Sequence, residues 1–153
     1  MQNKPLNHEK IMALAEFLEC SVPITSPHHP YIFEVWDREY LVVTEQEAAE
    51  LVAERIKEEL WAFHPDWIIR HTLLRDATKF ASSDYETIRQ AFTAIQQYLM
   101  ETCNPMLRGL IEATCGMKFF IEEAIAHNGR GHFLAPCDEK EEKQGDFYIY
   151  RMN

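Results

Sequence analysis

Residues 31–47 have the sequence YIFEVWDREYLVVTEQE, and this stretch indicates which kind of fold the chain adopts. Aromatic and β-branched residues dominate 31–36 and 40–43, with the polar residues 37–39 between them. Such runs predict a β-hairpin, although its turn lacks an Asn-Gly or Asp-Gly pair. The last four residues, Thr44 to Glu47, form a capping box, in which the threonine hydroxyl caps the Glu47 amide and the glutamate reaches back. The stretch therefore predicts a hairpin followed directly by a helix.

Outside this stretch, apolar residues recur at the spacing of three and four that helices require. Residues 21–30 contain three prolines and predict an irregular connection. The predicted helices cover about His8 to Leu18 with Asn7 as its cap, Thr44 to Phe63, a shorter segment after Pro65, Ser83 to Thr102, Asn104 to Gly116 with Asn104 as its cap, and Met117 to Ala126.

The C-terminal residues return to a strand pattern. His132-Phe133-Leu134-Ala135 and Phe147-Tyr148-Ile149-Tyr150 flank a charged loop at residues 137–146 and predict a second hairpin. Two hairpins around a helical middle predict an α+β fold. We expect a small antiparallel sheet packed against a bundle of about five or six helices, in a single domain of residues 1–153.

Composition restricts the classes of function. Apolar residues make up 46% of the chain and charged residues 26%, which argues against disorder. The formal net charge of −10 disfavours binding to nucleic acid or anionic lipid, and no apolar run is long enough for a membrane span. An acidic chain suits a basic protein surface, a metal ion or a nucleic-acid-binding protein as partner, but acidity also serves solubility alone. Widely spaced cysteines and a polar N-terminus predict free thiols and a cytoplasmic location.

The helix after the capping box carries an unusual charge pattern, which we name the acidic ridge. It consists of Glu47, Glu50, Glu54 and Glu58. Like charges at this spacing destabilise a helix by about 0.2–0.5 kcal/mol per pair, and Lys57 offsets only part of this cost. The ridge therefore predicts a partner-binding surface, with nucleic-acid mimicry or an ordinary solvated helix face as alternatives. Tyr148 and Tyr150 would extend this surface if they share the exposed face of a strand.

An alternative site lies around Gly129-Arg130-Gly131. Arg130 with the nearby His127 and His132 suits a phosphate or carboxylate ligand, as in a small nucleotide-binding protein or enzyme. The segment is too short for a phosphate loop and lacks the lysine and threonine that would follow. The histidines, Cys137 and Asp138 match no zinc-site spacing, so no metal and no cofactor are expected. No nucleophile with an identifiable base is present, and no catalytic residue is predicted.

Two parts of the sequence belong together in the next comparison. The C-terminal part contains GRGHFLA at residues 129–135 and FYIYRMN at residues 147–153. The other part runs from EYLVV at residues 39–43 to LWAF at residues 60–63. These segments resemble a family of small proteins carried by bacteriophages and other mobile elements. Cys137 departs from the family pattern, in which an aromatic residue precedes an Asp-Gly turn. The family supplies no catalytic residues.

The resemblance implies a biological setting. Small acidic phage proteins act by binding host proteins, and inhibitors of bacterial defence systems, such as anti-CRISPR proteins, are similar in size and charge. We therefore expect a non-enzymatic phage or mobile-element accessory protein in the bacterial cytoplasm, which binds a host protein or nucleoprotein complex. Self-association as a homodimer through the hairpins is a further alternative.

Overall fold

A computed structural model describes residues 4–21, 24, 29–72 and 82–153. Within these ranges, two short 3-10 helices, Leu60–Ala62 and Met100–Cys103, separate longer elements. In chain order these are α1 (Lys4–Phe17), β1 (Ile32–Val35), β2 (Arg38–Thr44), α2 (Glu45–Glu58), α3 (Pro65–Thr72), α4 (Ser82–Leu99), α5 (Asn104–Thr114), α6 (Met117–Asn128), α7 (Arg130–Leu134), β3 (Glu142–Gln144) and β4 (Phe147–Arg151). The strands form one antiparallel sheet in the order β1-β2-β4-β3, which confirms the predicted α+β fold. None of the described helices is both long and apolar enough to span a bilayer.

The chain divides into two compact units. The first, which we call the sheet unit, comprises Met1–Ala53 and Asn128–Asn153 and contains the sheet with α1 and α7. The second, the helical unit, comprises Glu54–His127 and contains α3, α4 and α5. The boundaries fall within α2 and at the end of α6.

One face of the sheet packs against α1. Because side chains alternate along a strand, every second residue of a strand faces α1 and belongs to this core. Its buried members are Ala13, Leu14, Phe33, Val35, Tyr40, Val42, Phe147 and Ile149. Leu41, Val43 and Tyr150 point to the opposite face and are also buried. The central strand β2 is therefore covered on both faces, which explains why it reads as a continuous apolar run.

Local signals account well for the start of α2. The Thr44 backbone N–H donates to Glu47 Oε2 at 2.8 Å, and the Glu47 N–H donates to Thr44 Oγ1 at 3.3 Å. The predicted capping box is thus confirmed. The cap predicted at Asn7 is wrong, because α1 already begins at Lys4.

Asn104 has a different role from the predicted cap. Its side-chain oxygen accepts from the Trp61 N–H at 2.8 Å, and its amide nitrogen donates to the Glu58 carbonyl. The side chain therefore connects the end of α2 and the following 3-10 helix to the start of α5. The N-cap position of α5 is Cys103, which makes no side-chain capping hydrogen bond.

The strand predicted at residues 132–135 is wrong, because residues 132–134 belong to α7 and Ala135 is its C-cap. The Ala135 N–H donates to the Gly131 carbonyl at 2.8 Å. Gly131, Leu134 and Ala135 are buried, a spacing of three and four that puts them on one side of a helix but on both sides of a strand. Burial of this face therefore selects the helix.

The second hairpin exists, but β3 replaces the predicted first strand. Glu142–Gln144 pairs with β4 across a turn at Gly145 and Asp146, with Gly145 at φ 60°. Two-residue hairpin turns need such a positive φ, which glycine adopts without strain. The strand is polar because it lies at the sheet edge, so no hydrophobic alternation marks it in the sequence.

Candidate interaction surfaces

The structure removes Glu47 from the exposed part of the acidic ridge. Lys10 Nζ donates to Glu47 Oε2 at 2.7 Å, and the two side chains are only 1% and 17% exposed. Burial alone would raise the pKa of the Glu47 carboxyl, but the hydrogen bonds from Lys10 and Thr44 together hold this pKa below its ordinary value. Glu47 therefore acts within the fold, where it connects α1 to the first turn of α2.

The other three members of the ridge, Glu50, Glu54 and Glu58, are exposed. The Gln46 amide donates to Glu50 at 2.9 Å. Lys57 donates to Glu54 at 2.7 Å, and this hydrogen bond lowers the pKa of the Glu54 carboxyl. The exposed ridge is thus shorter and less negative than the helical spacing implies. Its part in partner binding stays a prediction.

Arg130 is held by two carboxylates inside the sheet unit. Its Nε and Nη2 donate to the two oxygens of Glu141 at 2.8 and 2.9 Å, and its Nη1 donates to Glu45 at 2.7 Å. The guanidinium carbon lies 4.4 Å from the centre of the Tyr148 ring. The hydrogen bonds with Glu141 raise the pKa of Arg130. Arg130 therefore connects α7 with the start of α2, and this engagement competes with any phosphate ligand.

The two tyrosines of β4 do not form an exposed aromatic pair. Tyr150 is fully buried, and its hydroxyl donates to Glu141 Oε2 at 2.5 Å. Burial raises the pKa of the Tyr150 phenol, and the hydrogen bond with Glu141 acts in the same direction. Tyr148 is half-buried, with Arg130 and Lys143 above its ring. Tyr150 therefore offers no contact surface, and Tyr148 offers only part of its ring.

The two histidines of the alternative site have different surroundings. His132 Nδ1 lies 3.3 Å from Glu139 Oε1, in the sheet unit. His127 belongs to the helical unit, where its ring lies 4.8 Å from the Trp67 ring. Within the described ranges, no group of three or more His, Cys, Asp or Glu side chains is arranged to hold a metal ion.

Replacing Arg130 with lysine tests the structural role of this side chain. We expect the free energy of unfolding to fall by about 1–3 kcal/mol, because lysine cannot bind Glu141 through two parallel hydrogen bonds while also reaching Glu45. Urea unfolding measures the change. Arg55→Lys is the matched control, because Arg55 is half-exposed and pairs with Glu59, the residue directly after α2. A loss of similar size in both variants would contradict the assigned role.

Two exposed apolar features escape prediction from the sequence. Among the described residues, Tyr98 is 87% exposed, and Leu99 and Met100 next to it are exposed as well, with Met106 close in sequence. Three consecutive exposed apolar residues are unusual on a folded surface. Helical periodicity assigns Leu99 to the buried face of α4, which is why the sequence pattern conceals this patch.

The second feature is Trp36, at the tip of the β1–β2 hairpin. The sequence predicts a turn at residues 37–39, but Val35 pairs with Arg38, so the turn consists of Trp36 and Asp37. Trp36 has φ 59° and is 60% exposed. A bulky residue at positive φ is an outlier that glycine or asparagine would normally replace. In the sequence, this strained position is indicated by a two-residue turn that contains neither glycine nor asparagine.

Residues near the C-terminus hold this turn in place. The Glu39 N–H donates to Asn153 Oδ1 at 2.7 Å, and Asn153 Nδ2 donates to the Asp37 carbonyl at 3.4 Å. The Met152 N–H donates to the Glu39 carbonyl at 2.9 Å. The tip that carries Trp36 is therefore fixed by contacts from a neighbouring strand end.

Comparison with protein-family models, with curated proteins and with solved structures finds no match to this chain. Of the surfaces described above, both Trp36 at φ 59° and Met100 at φ 47° combine a positive φ with an exposed side chain. Trp36 is the larger side chain, and its turn is held by the hydrogen bonds of Asn153.

Proposed function

We propose that this chain is a non-enzymatic accessory protein of a bacteriophage or other mobile element, and that it acts by binding a host protein or nucleoprotein complex. Components of bacterial defence systems belong to this class of target. The exposed and strained Trp36 carries the proposal. The phage setting is supported by the resemblance of residues 129–135 and 147–153 to small proteins of mobile elements.

The backbone conformation of Trp36 lowers the stability of the folded chain, and the burial of its side chain in the sheet unit is too small to offset this cost. A non-glycine residue in the left-handed region costs about 1–3 kcal/mol, because its Cβ crowds the backbone. Burying an indole ring would offset such a cost, but most of this side chain is exposed. Strain of this kind is typical of binding sites, so contact with another molecule is the better explanation for a tryptophan at this position.

The contacts of Asn153 and Met152 make Trp36 suitable for recognition. They hold the hairpin tip through Asp37 and Glu39, so little further ordering is needed when a partner binds. Tryptophan is among the residues enriched at the energetic centres of protein interfaces. A rigid turn with an exposed indole thus provides an anchor for a pocket on a partner protein.

The enzymatic alternative, with Arg130, His127 and His132, has weaker support. The Arg130 guanidinium already binds Glu141 and Glu45, and a ligand would have to displace these carboxylates. The same contacts explain Arg130 as a structural residue. Thermal-shift measurement with nucleotides would support the alternative if one of them raised the melting temperature.

Trp36→Gly separates binding from folding. We expect the free energy of unfolding of the variant to equal that of the wild type or to exceed it by at most about 1 kcal/mol, because glycine adopts positive φ without strain. We also expect it to lose capture of bacterial lysate proteins by at least about tenfold, because the anchor is gone. Quantitative affinity capture and thermal unfolding measure the two effects.

Trp36→Phe is the control for this experiment, because it keeps an aromatic ring at the strained position. We expect it to retain part of the capture that Trp36→Gly loses. Equal capture by wild type and Trp36→Gly would contradict the proposed role of the hairpin tip.

A further inference from the structure

A groove of about 880 Å³ lies in the sheet unit, between α1 and the turn that joins β3 to β4. Ala13 and Phe147 are buried residues of the core that also line this groove. Met12 lines it as well, yet its side chain is largely exposed. A flexible thioether beside buried apolar residues suits contact with apolar side chains of varied shape.

The rim of the groove is acidic. Among the described residues that line it there is no lysine or arginine, whereas there are four carboxylates: Glu9, Glu16, Glu19 and Asp146. All four are exposed, and none of them has an ion pair within the part of the chain that the structure describes. By contrast, Glu47, Glu54 and Glu141 are each paired with a lysine or an arginine.

The end of α1 adds to this negative field at a cost to stability. Glu19 follows the last turn of the helix with φ 49°, in a position where glycine is usual, and the Cys20 N–H donates to the Ala15 carbonyl at 3.1 Å. Glu16 and Glu19 also lie at the negative end of the helix dipole, where basic residues would be favourable, and α1 has none in its last turn. Both carboxylates are therefore poorly placed for the isolated chain and well placed to attract a cation.

We propose that this groove binds a basic segment of a partner protein, with an apolar side chain against Met12 and Phe147 and lysine or arginine side chains on the acidic rim. Charge complementarity selects this occupant, because unpaired carboxylates and a helix C-terminus favour cations and repel nucleic acid and anionic lipid. The inference rests on the proposed binding function and names the chemistry of the partner. Trp36 does not line the groove, so the two surfaces can be tested separately.

The test uses a short labelled peptide in which leucines stand between pairs of arginines, and its binding is followed by fluorescence anisotropy. We expect binding that weakens with added salt, as attraction between exposed charges does. Glu16→Lys with Asp146→Lys is expected to weaken it at least about tenfold, and Met12→Ser by a smaller factor. Both charged positions are exposed, so these changes leave the core intact.

Two controls make the result specific. Glu34→Lys changes the charge by the same amount per site on β1, outside the groove and outside the acidic ridge, and should leave binding within about twofold, since distant exposed charges are screened. A peptide with serine in place of leucine should bind clearly more weakly, because it has no apolar anchor. An equal loss in Glu34→Lys, equal binding of the serine peptide, or no binding of the leucine peptide would overturn the inference.

The outcome also remains distinct from that of the Trp36 experiment. If capture of lysate proteins depends on Trp36 but the basic peptide does not bind, the proposed function is supported. The inference that the groove binds a basic segment would then be wrong. If the peptide binds specifically in the groove and capture of lysate proteins does not depend on Trp36, the groove is supported as the binding site. The hairpin tip would then have no part in the proposed function.

Discussion

Gly131→Ala is expected to lower the free energy of unfolding by about 3 kcal/mol, near the upper end of what overpacking costs. A Cβ at this position would lie 2.2 Å from the Glu139 carbonyl oxygen, 2.8 Å from the Glu139 carbonyl carbon and 3.1 Å from the Lys140 carbonyl carbon. All three are backbone atoms, so no side-chain rotation can relieve the clash. The absence of a Cβ is what allows residues 139–140 to cross α7 at this distance.

The crossing segment cannot move away without breaking other contacts. The Glu139 N–H donates to the Ala135 carbonyl at 2.8 Å. The next acidic residue, Glu141, binds Arg130 and accepts from the Tyr150 hydroxyl. Relief of the clash would therefore disturb the same hydrogen bonds that hold α7 against the sheet, which is why the expected effect is large.

Chemical denaturation of wild type and variant measures this change, and Gly109→Ala is the matched control. Gly109 lies within α5, with nothing within 4 Å of the Cβ that alanine would add. Alanine should there stabilise the protein by about 0.5–1 kcal/mol, because it favours the helix over the unfolded chain. Two variants of equal stability would show that the close approach at Gly131 does not exist in solution.

Glu47→Ala is expected to destabilise the protein by about 3–5 kcal/mol, the cost of breaking a buried ion pair from one side. The ammonium group of Lys10 would lose its carboxylate in a position that is almost entirely inaccessible to water. Its remaining described neighbour, the Tyr31 ring with its centre 4.5 Å away, offers only a cation–π contact. The Thr44 N–H would also lose its acceptor.

Replacing both partners should cost much less than replacing one. Lys10→Met with Glu47→Gln removes both charges and keeps an acceptor for Thr44, so we expect a loss of only about 1–2 kcal/mol. Glu54→Ala is the control on the same helix, because its pair with Lys57 is exposed and should contribute at most about 0.5 kcal/mol. A double variant as unstable as Glu47→Ala would show that shape, and not the charge pair, is what matters here.

The pH dependence gives an independent check on the same pair. The pKa of Glu47 in the folded protein is lowered from an ordinary value of 4.5. Its contribution to stability is therefore complete above that value and is lost as the pH falls through the lower, folded-state pKa. Below about pH 4.5 the wild type should lose stability faster than the double variant, which has no carboxyl at this position.

Sequence patterns were sufficient where the interaction that forms an element lies within a few residues. The capping box of Thr44 and Glu47 is complete within one turn, so it predicts the start of α2 correctly. The strand prediction at residues 132–135 is wrong because a run as short as the three apolar residues 133–135 fits a strand as well as a helix. Packing decides between the two, through the burial of Gly131, Leu134 and Ala135 on one side of α7.

The sequence by itself determined the α+β class, the first hairpin and the row of glutamates on α2, because each follows from the period of a single strand or helix. Only the tertiary structure decided which of these residues are exposed on the surface. Lys10, 37 residues away in the chain, withdraws Glu47 from the acidic ridge, and the register of β1 with β2 puts Trp36 in the turn. Exposure and strain are set by long-range contacts, and a local sequence pattern does not contain them.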